Sequence, residues 1–148
     1  MKETINNKTK IVKNLDELAE AMIGLFIEMY NRGTTEIGYV SGIITSEGLE
    51  NMPKNIARLE RFTDLIKRQS KISVFSPTDI FSDDLFARID ATGAKNTDYE
   101  LFWRRTLSSG YVTHMFMTPR WEISHGSRDE HEIAKKQNMK IVYITDEV

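Results

Sequence analysis

Apolar side chains recur every three or four residues at Leu15, Leu18, Ala19, Met22, Leu25, Phe26 and Met29, the spacing of one helix face. Asn14 precedes them as an N-cap and Asn31-Arg32-Gly33 supplies a stop, so the pattern predicts a helix over 14–31. Ile37–Ser41 is short, apolar and partly β-branched, and it ends at Gly42; it reads as a buried strand entering a tight turn. Leu49–Pro53 leads into a second helix with apolar positions Ile56, Leu59, Phe62, Leu65 and Ile66. Its Lys54, Arg58, Arg61, Lys67 and Arg68 mostly face water in this reading. A second strand is expected at Ile72–Ser76, stopped by Pro77.

Residues 78–96 are rich in Asp, Ser, Thr and Gly and read as a long functional loop with a helical turn near Asp84–Ile89. Beyond it the pattern predicts a third helix at Thr97–Leu107, a third strand at Tyr111–Met117, a fourth helix at Ser127–Gln137 and a final strand at Lys140–Ile144. Residues 1–13 show little periodicity and read as a loosely structured lead-in. Strands alternating with helices define an α/β class. The expectation is a single-domain layered sandwich over 14–148, flavodoxin- or Rossmann-like, with a mainly parallel four- to five-stranded sheet and an extra N-terminal helix. In such sheets ligands gather outside the carboxyl ends of the strands, near a switch in strand order. That rule directs attention to Gly42–Gly48, Pro77–Asp84, Thr118–Ser127 and the C-terminal tail.

Composition narrows the classes of function. A chain of 148 residues fits one domain of roughly 100–200 residues. It contains no cysteine, which removes disulfides, thiolate zinc sites and thiol nucleophiles. Its 20 basic and 22 acidic side chains nearly cancel, so no global field favours a nucleic acid polymer or an acidic membrane as partner. The longest apolar stretch, around Ala21–Met29, is far below the roughly 20 residues of a membrane span, and the N-terminus has no apolar signal core. A cytoplasmic protein is the expectation.

The segment from Trp121 to Ala134 follows a predicted strand and opens a predicted helix, so free backbone N–H groups face the ligand crevice. Gly126 permits close approach, Ser124 and Ser127 add hydroxyls, and Glu130 lies in the first helical turn. Together these suit a phosphate or another anion. The same letters also spell a capping box, Ser127-x-x-Glu130, in which the carboxylate only satisfies the Ser127 N–H. Thr97-x-x-Glu100 spells another. His114, His125 and His131 have no metal-ligand spacing, so neither a metal nor another cofactor is expected, while His125 stands in the anion turn. Trp121 lies at the strand end beside the same turn. Trp103 and Met115-Phe116-Met117 read as core.

Two stretches carry a resemblance: Tyr39-Val40-Ser41-Gly42-Ile43-Ile44-Thr45, and Trp121-Glu122-x-Ser124-x-Gly126-Ser127-x-x-Glu130-x-x-x-Ala134. They resemble the nucleoside 2-deoxyribosyltransferase superfamily, in particular its small phage and bacterial branch, which is related to N-glycosidases of nucleoside monophosphates. The resemblance covers roughly residues 37–145 and leaves the helix at 14–31 outside. It implies that Glu130 attacks the anomeric carbon, since a carboxylate beneath an oxocarbenium-like centre both stabilises it and bonds to it. By the same resemblance, Tyr39 sits beside that carboxylate, Gly42 and Ile43 approach the sugar or base, and Ser124, Gly126 and Ser127 hold the 5′-phosphate.

The sequence also departs from that pattern. Relatives place an aspartate in the helix before the third strand, where this chain has Arg105, and a second within the strand, where it has Thr113. Asp98 is the nearest substitute acid, and Arg105 reads as a bidentate clamp for a second phosphate or a carboxylate. No serine follows Ser127, so a serine contributed to a neighbour's site has no counterpart, although relatives commonly form homo-oligomers. The expected activity is cleavage or transfer of the N-glycosidic bond of a nucleoside or nucleotide. The alternative is a nucleotide-ligand binding or sensing protein that keeps the crevice without the full catalytic set.

Overall fold

The structure, a computed structural model, describes residues 1–147. Its four strands are β1 (Ile37–Ser41), β2 (Ser73–Phe75), β3 (His114–Met117) and β4 (Lys140–Tyr143). They form one all-parallel sheet in the order β2-β1-β3-β4. Chain order reverses beside β1: the chain moves one way to β2, then returns past β1 to β3. The switch point therefore lies between the carboxyl ends of β1 and β3, where Ser41 is level with Met117.

Among the described residues seven α-helices surround the sheet: α1 (Lys2–Lys8), α2 (Leu15–Asn31), α3 (Met52–Gln69), α4 (Pro77–Ile80), α5 (Asp83–Asp90), α6 (Asn96–Leu107) and α7 (His125–Lys136). Alternation along the strands divides the core into two layers. Tyr39, Phe75, Met115 and Met117 join a large cluster with Leu18, Met22 and Phe26 of α2, Leu85 of α5, Phe102 of α6 and Ile133 of α7. Val40, Val74 and Phe116 point the opposite way, onto Leu59 and Ile66 of α3. Gly38 is small because Phe116 lies across it: a Cβ there would stand 2.7 Å from the ring.

The N-terminal residues differ from the expected loose lead-in. They fold as α1, which buries Ile5 completely and binds α2 through a Lys8–Glu28 ion pair of 2.8 Å. Arg88 of α5 donates to the carbonyls of Thr9 and Val12, tying down the connection to α2. One buried isoleucine among lysines and asparagines is too sparse a pattern to show a period. The long loop predicted for 78–96 is likewise mostly helical. Its Ser and Asp residues are caps: the Ser76 N–H donates to the Asp79 carboxylate at 3.0 Å, and Ser82 Oγ accepts from the Leu85 N–H at 3.2 Å. Pro77 opens α4 at a position where its missing N–H costs nothing, rather than simply stopping β2. Asn14 does cap α2, accepting from the Glu17 N–H at 2.8 Å.

Candidate functional site

Tyr39 and Ser41 lie two residues apart on β1, so both side chains leave the same face of the sheet, toward α7. Tyr39 is fully buried, its ring 5.3 Å from that of Phe75 and 5.2 Å from that of Trp103. Its hydroxyl donates to Glu130 Oε2 at 3.1 Å. Ser41 Oγ lies 2.7 Å from Glu130 Oε1 and 3.0 Å from Ser127 Oγ. A serine has one proton to give and carboxylate oxygens only accept, so Ser41 donates to Glu130 and the Ser127 hydroxyl completes the chain.

Glu130 is free to make these contacts because the capping box spelled by Ser127 and Glu130 does not form. Ser124 caps α7 instead, its Oγ accepting from the Ser127 N–H at 3.2 Å. A cap three residues earlier starts the helix at His125, not Ser127, and turns Glu130 inward. Glu130 is 7% exposed. That burial pushes its carboxyl up to about 7, against the pull of the Ser41 and Tyr39 hydrogen bonds and with a further push from the Asp129 charge. Burial and the neighbouring Glu130 charge raise Tyr39 well above its ordinary value, so its hydroxyl keeps its proton and remains a donor. Asp129 is held outward by Arg104, whose Nε and Nη2 reach its two oxygens at 3.0 and 3.1 Å.

The other predicted site residues distribute differently. Ser124 and Ser127 are buried beside Glu130, whereas His125 and Gly126 are exposed at the start of α7. The His125 ring lies 3.1 Å from a Glu100 oxygen, so Glu100 does not cap α6. Asp98 performs that capping, accepting from the Lys95 N–H at 2.8 Å. Arg105 faces α2, 3.9 Å from both Asp16 and Glu20. Asp98 and Arg105 do come together, on a surface cavity of about 290 Å³ between α2 and α6 that also involves Asn14 and Asp16. Neither Glu130 nor the residues hydrogen-bonded to it line that cavity. Thr113 hydrogen-bonds with the backbone of Ile37 and the ring of His114. Trp121 stacks on His131 with ring centres 4.3 Å apart, and His131 reaches the Tyr143 hydroxyl at 2.7 Å.

Gly42 and Ile43 prove to be packing residues at the end of β1. Ile43 is fully buried. A Cβ on Gly42 would come 2.7 Å from Thr118 Oγ1 and 3.0 Å from Leu59 Cδ1, so the close approach is to the residue after β3 and to α3. The Thr118 hydroxyl it would strike donates to the Ser41 carbonyl at 2.8 Å and locks the switch point. Gly42→Ala should therefore cost about 1–3 kcal/mol of stability as an overpacked position. Urea denaturation checks this, and a variant within 0.5 kcal/mol of wild type, order of magnitude, would show that Thr118 and Leu59 move aside freely.

Two functional candidates escaped the sequence reading. Ser41 carried a signal in the two-residue period from Tyr39. Arg58, whose charge and neighbours point to the water side of its helix, belongs to the buried row Asn55, Arg58, Leu59, Phe62 and Ile66 of α3. Among the described residues no group of three or more His, Asp or Glu is placed to hold a metal ion, and no helix is long and apolar enough to cross a membrane. No protein-family profile, curated protein or solved structure matches this chain.

Proposed function

We propose that this chain cleaves or transfers the N-glycosidic bond of a nucleoside or nucleoside 5′-monophosphate, with Glu130 as nucleophile. The observation that carries the reading is a carboxylate at the switch point of a parallel sheet, gripped by the hydroxyls of Tyr39 and Ser41. Such donors favour the ionised form that attacks carbon, while burial keeps water from competing for it. In the first step a Glu130 oxygen bonds to C1′ as the C1′–N bond breaks, and the base nitrogen takes the electron pair and a proton from solvent. In the second, water or another base attacks C1′ and gives up a proton to solvent, the ester bond breaks, and the carboxylate is regenerated. Phosphate would rest on the amino-terminal turn of α7, at Ser124, Gly126 and Ser127. Glu130 is 7% exposed, so a sugar reaches it only when the residues that cover it move.

A second reading, nucleotide binding or sensing without turnover, is favoured by a specific arrangement. Both Glu130 oxygens are already satisfied by the protein, and the substitute acid Asp98 is occupied as a helix cap. A proton donor for the leaving base contributes about 10²–10⁴-fold. The two readings separate in one experiment on a panel of nucleosides and their 5′-monophosphates, following free base by chromatography and melting temperature by thermal shift. Base release from at least one compound is the expected result. Stabilisation without release would favour the sensor, since a ligand stabilises the fold it binds whether or not it reacts. Neither effect with any compound would remove both readings.

A further inference from the structure

The carboxyl edge of the sheet carries a second charged arrangement, on the α3 side rather than the α7 side. Arg58 is 7% exposed, stacks its guanidinium 4.9 Å above the Phe62 ring, and leaves its Nε–H buried with no partner. A fully charged group is seldom held this deep without a specific counter-charge. Here Nη2 donates to the Pro119 carbonyl at 2.9 Å, just beyond β3, and to both oxygens of Glu147 at 2.9 and 3.1 Å. Arg120 stands alongside, its Nε 3.8 Å from Glu147 and its Nη1 3.1 Å from Glu47. Its backbone is left-handed, with φ of 64°, uncommon for a residue bearing a Cβ. The loops after β1 and β3 and the segment after β4 thus converge on two guanidinium groups.

The burial is unequal across this ion pair. The Arg58 side chain is 9% exposed and fixed by packing, whereas that of Glu147 is 54% exposed and follows β4 by only four residues. The rigid partner is the cation; the carboxylate is the replaceable one, because it stays half in water while Arg58 is held by packing. A carboxylate on a guanidinium has the charge and geometry of a bound oxyanion.

We propose that Arg58 and Arg120 form an oxyanion site at the carboxyl edge of the sheet, occupied by the chain's own Glu147, which a phosphate group displaces. The phosphate is either free or carried as a monoester. Glu147 acts as a tethered competitor, present at high effective concentration and weakening the apparent affinity for the external anion. The site stands on α3 and owes nothing to Glu130, so it survives or fails independently of the glycosidic reading.

The test follows the assigned Nε–H resonances of Arg58 and Arg120 in the full-length ¹⁵N-labelled chain while inorganic phosphate is titrated in, with sodium chloride at matched ionic strength as the control. Saturable shifts at both arginines are expected in the wild type. In Glu147→Gln they should saturate at about fivefold lower phosphate, the effect of removing a weak internal competitor. Arg120→Gln, at a half-exposed position that spares the core, should weaken phosphate binding several-fold. A nucleoside 5′-monophosphate binding more tightly than phosphate, with the parent nucleoside inert, assigns the esterified source; equal binding assigns the free ion. Shifts no larger than the chloride control in Glu147→Gln, or identical saturation with and without the Glu147 carboxylate, would overturn the proposal and leave the pair as a tail anchor.

Discussion

Glu130→Gln is expected to abolish base release, by about 10³-fold or more, because the amide keeps the shape of the side chain but cannot form the ester. Its folding should be intact, since the amide oxygen still accepts a hydroxyl hydrogen bond. Wild-type turnover should rise with pH through about 7, as the buried carboxyl gives up its proton and becomes nucleophilic. Stability changes in the opposite sense. Between the ordinary 4.5 and about 7 the folded chain holds a proton that the unfolded chain has released. The contribution of Glu130 is therefore complete below pH 4.5 and is lost as pH rises to about 7, a change of about 3 kcal/mol. Glutamine has no such proton, so urea denaturation at pH 4.5, 6 and 8 should show the variant gaining on the wild type by that order. A constant difference across the range would mean that Glu130 is solvated like a surface carboxylate.

Phe26→Ala should destabilise the fold by about 3–5 kcal/mol, the usual cost of truncating a fully buried aromatic side chain. Phe26 projects from α2 with no exposed surface, and its ring centre is 5.5 Å from that of Phe75 on β2. A domain holds only about 5–15 kcal/mol in total, so the loss will lower the urea midpoint substantially. Tyr30→Ala on the same helix provides the contrast. That residue is 54% exposed and meets Tyr111 edge-on at 5.9 Å, so its loss should be much the smaller of the two. A Phe26→Ala loss below about 1 kcal/mol would show that α2 merely lies against the domain, contrary to the cavity cost expected of a core helix.

The helix α2 was legible in the sequence, because its period runs unbroken through seven apolar positions behind an Asn14 cap; that its apolar face covers the sheet is shown by the structure. The alternation of strands and helices was legible for the same reason, and it fixed the class as a parallel α/β sandwich. Short polar segments hid their structure. In α4 and α5 the Ser and Asp side chains that look like loop composition are spent on helix caps, and α1 commits one isoleucine to the core. The site shows the same contrast. Ser124, Ser127 and Glu130 stand out because they share the turn that opens a helix after a strand, whereas Tyr39 is marked only by the resemblance; the fold brings the four together. Which of two textual capping serines is used does not follow from spacing, because Ser124 and Ser127 both precede a residue three positions on with a backbone N–H or a carboxylate to offer. The structure uses Ser124, with α7 packed against α6, β3 and β4 and Glu130 turned toward Tyr39 and Ser41. Asp98 and Arg105 lie apart from Glu130 for a related reason: their places on α6 face α2, a helix outside the stretch on which the resemblance rests. Arg58 was concealed by its charge, since a lysine- and arginine-rich helix reads as solvated unless its buried row is traced residue by residue.

Rapid acid quenching of the wild-type protein with a reactive nucleotide would trap a bond between a Glu130 oxygen and a sugar carbon. Peptide mapping by mass spectrometry should find a sugar ester on the peptide containing Glu130, released on longer incubation and missing from Glu130→Gln. Base release with the sugar on another residue, or continuing undiminished in Glu130→Gln, would contradict it.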